Sequence, residues 1–264
     1  RSLDESVWNG WDLHDVLFHT KTRRREDAMA RAGTFHRKEF FQSLDKDISA
    51  LGRPGPAFSE ENRISCAPSL GEILDRRIST RGRLAAVPAR LMLGLFEAVR
   101  ERQGNEGEAT GAGNKRLRYP SAGALDSIEF CWVHEGDADL GPGVYCYDKT
   151  ARMLRDLGSS SDGVQEILRT AQHTWGEACG LPRGVIILVA SMPAIAAKYE
   201  NIAYRLLLLN AGIIFNSIYM IAAAANIGVC ALGTGDSKSF ARISGLDEAA
   251  HFAIAEMAVA GLKR

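Results

Sequence analysis

KYENIAYRLLLLNAGIIFNSIYMIAAAANIG, residues 198–228, is nearly unbroken apolar sequence from Leu206 to Ala225. About 20 apolar residues are enough to cross a bilayer, so the stretch is either a membrane span or a core helix. Asn210, Asn216 and Ser217 interrupt the run, no second run of this kind occurs, and no polybasic flank would orient a span. A helix apolar on every side also suits the centre of a large soluble core or a subunit interface. Gly212 and the alanines at 222–225 permit close approach of another helix. The stretch therefore reads as one long buried helix, opened by an adjacent Lys198 and Tyr199.

The flanking segments set its context. GVIILVAS (184–191) is rich in β-branched residues and reads as a buried strand. GVCALGTG (228–235) and HFAIAEMAVAG (251–261) read as two more, with a short helix near 237–245. LDSIEFCWVHE (125–135) reads as a strand, and GVYCYDKTARMLRDL (143–157) as two strands turning at Asp148–Lys149. GVQEILRTAQHTWGEACG (163–180) has helical spacing, as does PARLMLGLFEAVR (88–100) behind Pro88. In SLGEILDRRIS (69–79), Ser69 with Glu72 three residues later makes a capping box. GRPGP (52–56) and the glycine-rich 101–114 read as loops. Helices and strands mix without a βα repeat, which predicts an α+β layered fold. Residues 1–65, polar and poorly periodic, are expected to form an N-terminal extension, with the folded domain at 66–264.

Composition excludes several classes. Lys plus Arg and Asp plus Glu each number 32, so no net charge draws the chain to nucleic acid or to an anionic membrane. The local basic run TKTRRRED (20–27) reads as a solvated face or a loop near an anionic cofactor edge. Cys66, Cys131, Cys146, Cys179 and Cys230 lack zinc spacing and read as reduced thiols of a cytoplasmic protein. No basic region leads into an apolar stretch at the start, so no secretory signal is expected. His14, His19, His36, His134, His173 and His251 stand isolated and read as surface or packing residues.

Two polar constellations carry chemistry. In RRISTRGR (76–83), Arg77, Ser79 and Arg81 occupy alternate positions after a helix. In an extended segment they would point the same way, and two guanidiniums with a hydroxyl suit a phosphate; the same pattern fits a solvated loop. In RYPSAGALDSIEF (118–130), Pro120, Ser121, Ala122 and Gly123 make a turn of small residues. Such a turn lets backbone amides approach a flat ligand, or simply leads into a strand. Dinucleotide, Walker, zinc-protease and nucleophile-elbow motifs are absent.

In this order the pieces resemble the FMN-dependent nitroreductase superfamily over roughly residues 69–261. Arg77-x-Ser79-x-Arg81 resembles its phosphate signature and PSAGAL its flavin-edge loop. More narrowly, YPSAGAL with Glu129, followed by Lys198-Tyr199, Tyr204-Arg205, Gly212 and Asn216, is similar to the SagB-type azoline dehydrogenases. That group includes the McbC-like oxidase of the microcin-type thiazole/oxazole synthetases. The Lys-Tyr pair is the more specific element, because ordinary nitroreductases lack it. FHTKTR (18–23) matches loosely. The family commonly continues its turn as A-L-Y-P, whereas this chain has Ala124-Leu125-Asp126-Ser127, a departure at the substrate edge.

The resemblance implies a nitroreductase-like α+β fold, a central mixed sheet surrounded by helices, with the long buried helix at the interface of a homodimer. It implies FMN, with Arg77, Ser79 and Arg81 at the phosphate. Pro120, Ser121, Ala122, Gly123 and Asn216 would meet the flavin, and Gly233 of LGTG would lie over it. Lys198 and Tyr199 would be the catalytic pair that manages the proton as peptide thiazolines or oxazolines become thiazoles or oxazoles; which of them is the base stays open. Dioxygen would reoxidise the flavin. The implied partners are a heterocyclised peptide, a second copy of the chain, and a cyclodehydratase complex or a synthetase module. The alternatives are a stand-alone thiazoline oxidase of a nonribosomal synthetase, an NAD(P)H-dependent nitroreductase, and a flavin-free scaffold subunit.

Overall fold

A computed structural model describes residues 12–23, 48, 51–64, 68–100, 117–199 and 202–263. The expected loop at 101–114, residues 24–27 of the basic run, His36 and Cys66 lie outside the described residues. The strands are β1 (Arg53–Ala57), β2 (Ile128–His134), β3 (Gly143–Asp148), β4 (Met153–Gly158), β5 (Gly184–Ser191), β6 (Ile227–Leu232) and β7 (His251–Leu262). They form one sheet in the order β1-β4-β3-β2-β5-β7-β6. The helices are α1 (Leu13–Arg23), α2 (Leu70–Arg76), α3 (Ala89–Arg100), α4 (Ser161–Trp175), α5 (Met192–Tyr199), α6 (Ala203–Ala224) and α7 (Ser237–Ser244).

Strand β5 shows why the sequence layers this way. All eight of its residues are buried. Successive side chains alternate between faces. Ile186, Leu188 and Ala190 enter a core with Met92, Phe96, Leu207, Ile214 and Ile218 of α3 and α6. Val185, Ile187 and Val189 enter a second core with Ile167, Leu168, Ala171 and Trp175 of α4. A strand covered on both faces reads as a near-continuous apolar run, which GVIILVA supplies; Ser191 at its end accepts the Ala194 N–H at 3.2 Å.

The α+β fold is as expected, with three differences of detail. Neighbouring strands pair antiparallel throughout. Among the described residues, parallel pairing, which a mixed sheet requires, is confined to the single bridge between Ser79 and Val229. Strands β3 and β4 are joined by a four-residue turn, and a connection that short dictates antiparallel neighbours. Second, GRPGP is not a loop; it supplies β1, which pairs with β4 and edges the sheet. Pro54 and Pro56 are tolerated because an edge strand can lack donors on one side. A methyl at Gly55 would meet the Leu154 carbonyl oxygen at 2.8 Å. Third, the apolar stretch is not one helix. Lys198 and Tyr199 close α5, and α6 begins at Ala203. Pro193, the second residue of α5, marks a helix start, where its missing N–H is tolerated.

Helix α6 is also less enclosed than an all-round apolar helix implies. Its buried residues, Ala203, Leu207, Asn210, Ala211, Ile214, Ile218, Ala222 and Ala223, form one stripe at spacings of three and four. Leu208, Leu209, Gly212 and Asn216 face outward. The capping box of α2 is formed as expected: Ser69 N donates to Glu72 Oε2 at 2.7 Å, and Glu72 N donates to Ser69 Oγ at 3.3 Å. Helix α1 packs on the start of α6, with Phe18 edge-on to Tyr204 and Tyr204 stacked on Phe252.

Candidate active site

The turn of small residues and the Lys-Tyr pair meet. Residues 122–124 form a single 3-10 turn in which Gly123 adopts φ +61°, ψ +20°. That left-handed conformation favours glycine. A methyl at Gly123 would stand 2.5 Å from Tyr199 Oη and 2.8 Å from Lys198 Nζ. Both functional groups therefore lie over the Cα of Gly123. Lys198 Nζ is also 5.3 Å from the centre of the Tyr199 ring. Position is set from two sides: α5 ends on the pair, and the turn enters β2. On its inner side the turn is held by α6, where Asn210 Oδ1 accepts the Ala122 N–H at 3.1 Å. Ser121 Oγ is shielded from solvent and has no hydrogen-bond partner among the described residues. Pro120 is exposed beside it.

A second group gathers on Tyr219 of α6. Its hydroxyl lies 3.0 Å from Ser79 Oγ and accepts the Ala231 N–H at 2.7 Å. The Arg77 guanidinium lies 5.6 Å from its ring centre. Asn216, exposed, is one turn earlier on the same helix, and Gly233, exposed with open space around it, is two residues beyond Ala231. Arg77 and Ser79 thus come together, but Arg81 does not join them. Its Nη1 donates to the Trp175 carbonyl at 2.6 Å, at the C-terminus of α4. A cation there satisfies an orphan carbonyl and complements the helix dipole. Alternation fails because the segment is bridged to the sheet at Ser79 alone, and Trp175 belongs to the opposite core from the one Tyr219 packs against. Asn210 and Tyr219 were not singled out from the sequence as site residues. The available signal was a polar atom recurring in an apolar helix, which must find a partner if buried.

The departure at Ala124-Leu125-Asp126-Ser127 places Asp126 in a half-buried ionic cluster built on Arg100. Arg100, 1% exposed, pairs with Asp126 at 2.7 Å and with Glu129 at 2.9 Å. Lys149 pairs with the same two carboxylates at 2.7 and 2.9 Å. Burial opposes charge on Asp126, but Arg100 and Lys149 outweigh it and hold the carboxyl below its usual range. Burial wins at Glu129 and raises it. Asp126 therefore anchors the exit of the turn. Behind the Gly233 loop, Glu256 is buried; its Oε1 accepts the Asp236 N–H at 2.8 Å while Oε2 has no partner among the described residues. Burial pushes its carboxyl up to about 7.

Residues 85–260 match the model of the Nitroreductase family. A candidate nitroreductase from Ralstonia eutropha JMP134 shares the fold at TM-score 0.58 and 19% identity, over 81% of this chain and 95% of that one. A chain of the E. coli microcin synthetase McbBCD complex with truncated pro-MccB17 bound matches at TM-score 0.59 and 16% identity, over 100% and 99%. A candidate nitroreductase from Anabaena variabilis matches at TM-score 0.55 and 20% identity over 92% of this chain, which spans 45% of that protein. No curated protein matches the sequence.

Proposed function

The chain belongs to the nitroreductase family of flavin oxidoreductases, and we propose that it uses FMN to oxidise thiazoline or oxazoline rings of a peptide to thiazoles or oxazoles. The residues present fit this cofactor. Ser121 Oγ is a shielded hydroxyl in need of a partner, and Arg77 and Ser79 pair a guanidinium with a hydroxyl suited to a phosphate. Asn216, Gly233 and the 120–123 backbone complete the set we assign to the cofactor, and Arg81, held on the Trp175 carbonyl, is not part of it.

The observation that carries the substrate class is the placement of Lys198 and Tyr199 over Gly123. Aromatising an azoline removes two electrons and two protons, as a hydride from one ring carbon and a proton from the other. FMN, when bound, supplies the hydride acceptor. The chain must then remove a proton beside the flavin-edge turn, and Lys198 Nζ and Tyr199 Oη are the groups it brings there. A general acid–base residue of this kind contributes about 10²–10⁴-fold. The full-length likeness in fold to a chain of a microcin synthetase complex supports a peptide substrate and assembly with a cyclodehydratase or a synthetase module.

We further assign a homodimer. Leu208 and Leu209 of α6 are exposed, and α2, which packs on α6, with the residues after it exposes Leu70, Leu74 and Ile78. Free thiols at Cys131, Cys146, Cys179 and Cys230 suit a reducing compartment, and we place the enzyme in the cytoplasm.

The test uses purified protein with FMN and a thiazoline-containing peptide, read by mass spectrometry as loss of two hydrogens per ring. Lys198→Ala and Tyr199→Phe should keep FMN and lose turnover. Nitroarene reduction with NAD(P)H, unaffected by Lys198→Ala and without azoline oxidation, would overturn the substrate class. Protein that stays colourless in excess FMN would overturn the flavin assignment.

A further inference from the structure

We propose that Asn210 is a positioning residue that holds the first N–H of the 122–124 turn from a distant helix, and so fixes the turn beside a Ser121 hydroxyl that faces the cofactor. This rests on the reading above for its catalytic part, but its structural part stands alone.

A short turn begins with N–H groups that have no partner within it. A serine at the N-cap ordinarily accepts one of them through its own side chain. Here Ser121 is the N-cap and makes no such bond. The turn closes internally through Ala124 N to Ser121 O and Leu125 N to Ala122 O, which leaves the Ala122 N–H unsatisfied from within. Asn210 supplies the acceptor at 3.1 Å. It is 4% exposed, on the buried stripe of α6 between Leu207 and Ala211. A polar side chain buried among apolar neighbours is unfavourable without a partner, and here Ala122 provides one. The distant asparagine takes the first N–H of the turn, which an N-cap side chain does not ordinarily reach, and beside it Ser121 Oγ is without a partner among the described residues. Gly123, next in the chain, is thereby fixed beneath Lys198 and Tyr199.

Amide hydrogen exchange on the cofactor-free protein reads the bond directly. Asn210→Ala should speed exchange in residues 119–125 about tenfold, the size expected from one lost hydrogen bond, with β5 and α3 unchanged. Asn210→Asp keeps an acceptor oxygen and should restore protection to within threefold. With FMN bound, Asn210→Ala should lower kcat for azoline oxidation about ten- to a hundredfold with KM unchanged, as expected for a misplaced site, and Asn210→Asp should recover it. Wild-type exchange across 119–125 in Asn210→Ala, or uniform acceleration across the sheet in both variants, overturns the assignment. If the wild type oxidises no azoline, the substrate reading falls, and the exchange pattern alone decides the role of Asn210.

Discussion

Gly123→Ala separates the site from the fold. The added methyl lands 2.5 Å from Tyr199 Oη and 2.8 Å from Lys198 Nζ, where ordinary contacts begin near about 3.5 Å. Both groups must retreat by roughly 1 Å, and they are side-chain termini rather than backbone, so the steric penalty is smaller than a backbone clash would give. The backbone penalty is that of alanine at φ +61°, about 1–2 kcal/mol. For a domain of this size that lowers Tm by roughly 2–8 °C. Catalysis should suffer far more, because a displacement of about 1 Å can cost about 10²-fold in rate. The assay pairs thermal melting by circular dichroism with single-turnover azoline oxidation by mass spectrometry. A variant with kcat within threefold of wild type would refute the placement of the Lys-Tyr pair. A variant that fails to fold would show that the turn serves stability first.

Four further outcomes are expected. Arg77→Ala should weaken FMN binding about tenfold to a hundredfold by fluorescence titration, the value of a charge-assisted contact. Asp126→Ala leaves buried Arg100 and Lys149 one carboxylate short and should destabilise the protein by about 3 kcal/mol in urea titration. Glu256 titrates at about 7 in the folded chain against an ordinary 4.5, so the folded state holds its proton more tightly. Stability is then full below pH 4.5 and falls by about 3 kcal/mol as pH rises to about 7, and Glu256→Gln should flatten that slope in denaturation at pH 5 and pH 8. Leu209→Glu, on the exposed flank of α6, should give a folded monomer that loses FMN by light scattering and absorbance; a flavin-loaded monomer would count against the interfacial site.

The parts of this molecule that were legible in sequence are those fixed by local physics. The capping box at Ser69 and Glu72 depends on residues three apart. Strand β5 announces itself because burial on both faces favours the unbroken apolar run of residues 185–190. The turn at 120–123 and the Lys-Tyr pair were each visible, but their meeting was not, since 75 residues of chain separate Gly123 from Lys198. Arg81 was misplaced because alternation assumes a continuous strand, and its segment is bridged at one residue. Asn210 was read as an interruption of an apolar run; its partner, a backbone amide, carries no signature in sequence. Which flank of α6 turns outward was hidden for the same reason: leucines line both.

Strand β1 has a consequence in time. Arg53 finds its place opposite Asp156, about 100 residues later in the chain. At a synthesis rate of about 5–20 residues per second, the segment emerges roughly 5–20 s before its partner exists. A waiting strand is ordinarily a hazard, because its open N–H and C=O groups can recruit the wrong neighbour. Pro54 and Pro56 withhold two of the five donors of RPGPA. The segment offers a stray edge only the donors of Arg53, Gly55 and Ala57. It becomes a strand when β4 arrives with a matching carbonyl track and room for a glycine at position 55. The same residues that made it look like a loop let it wait its turn on the ribosome.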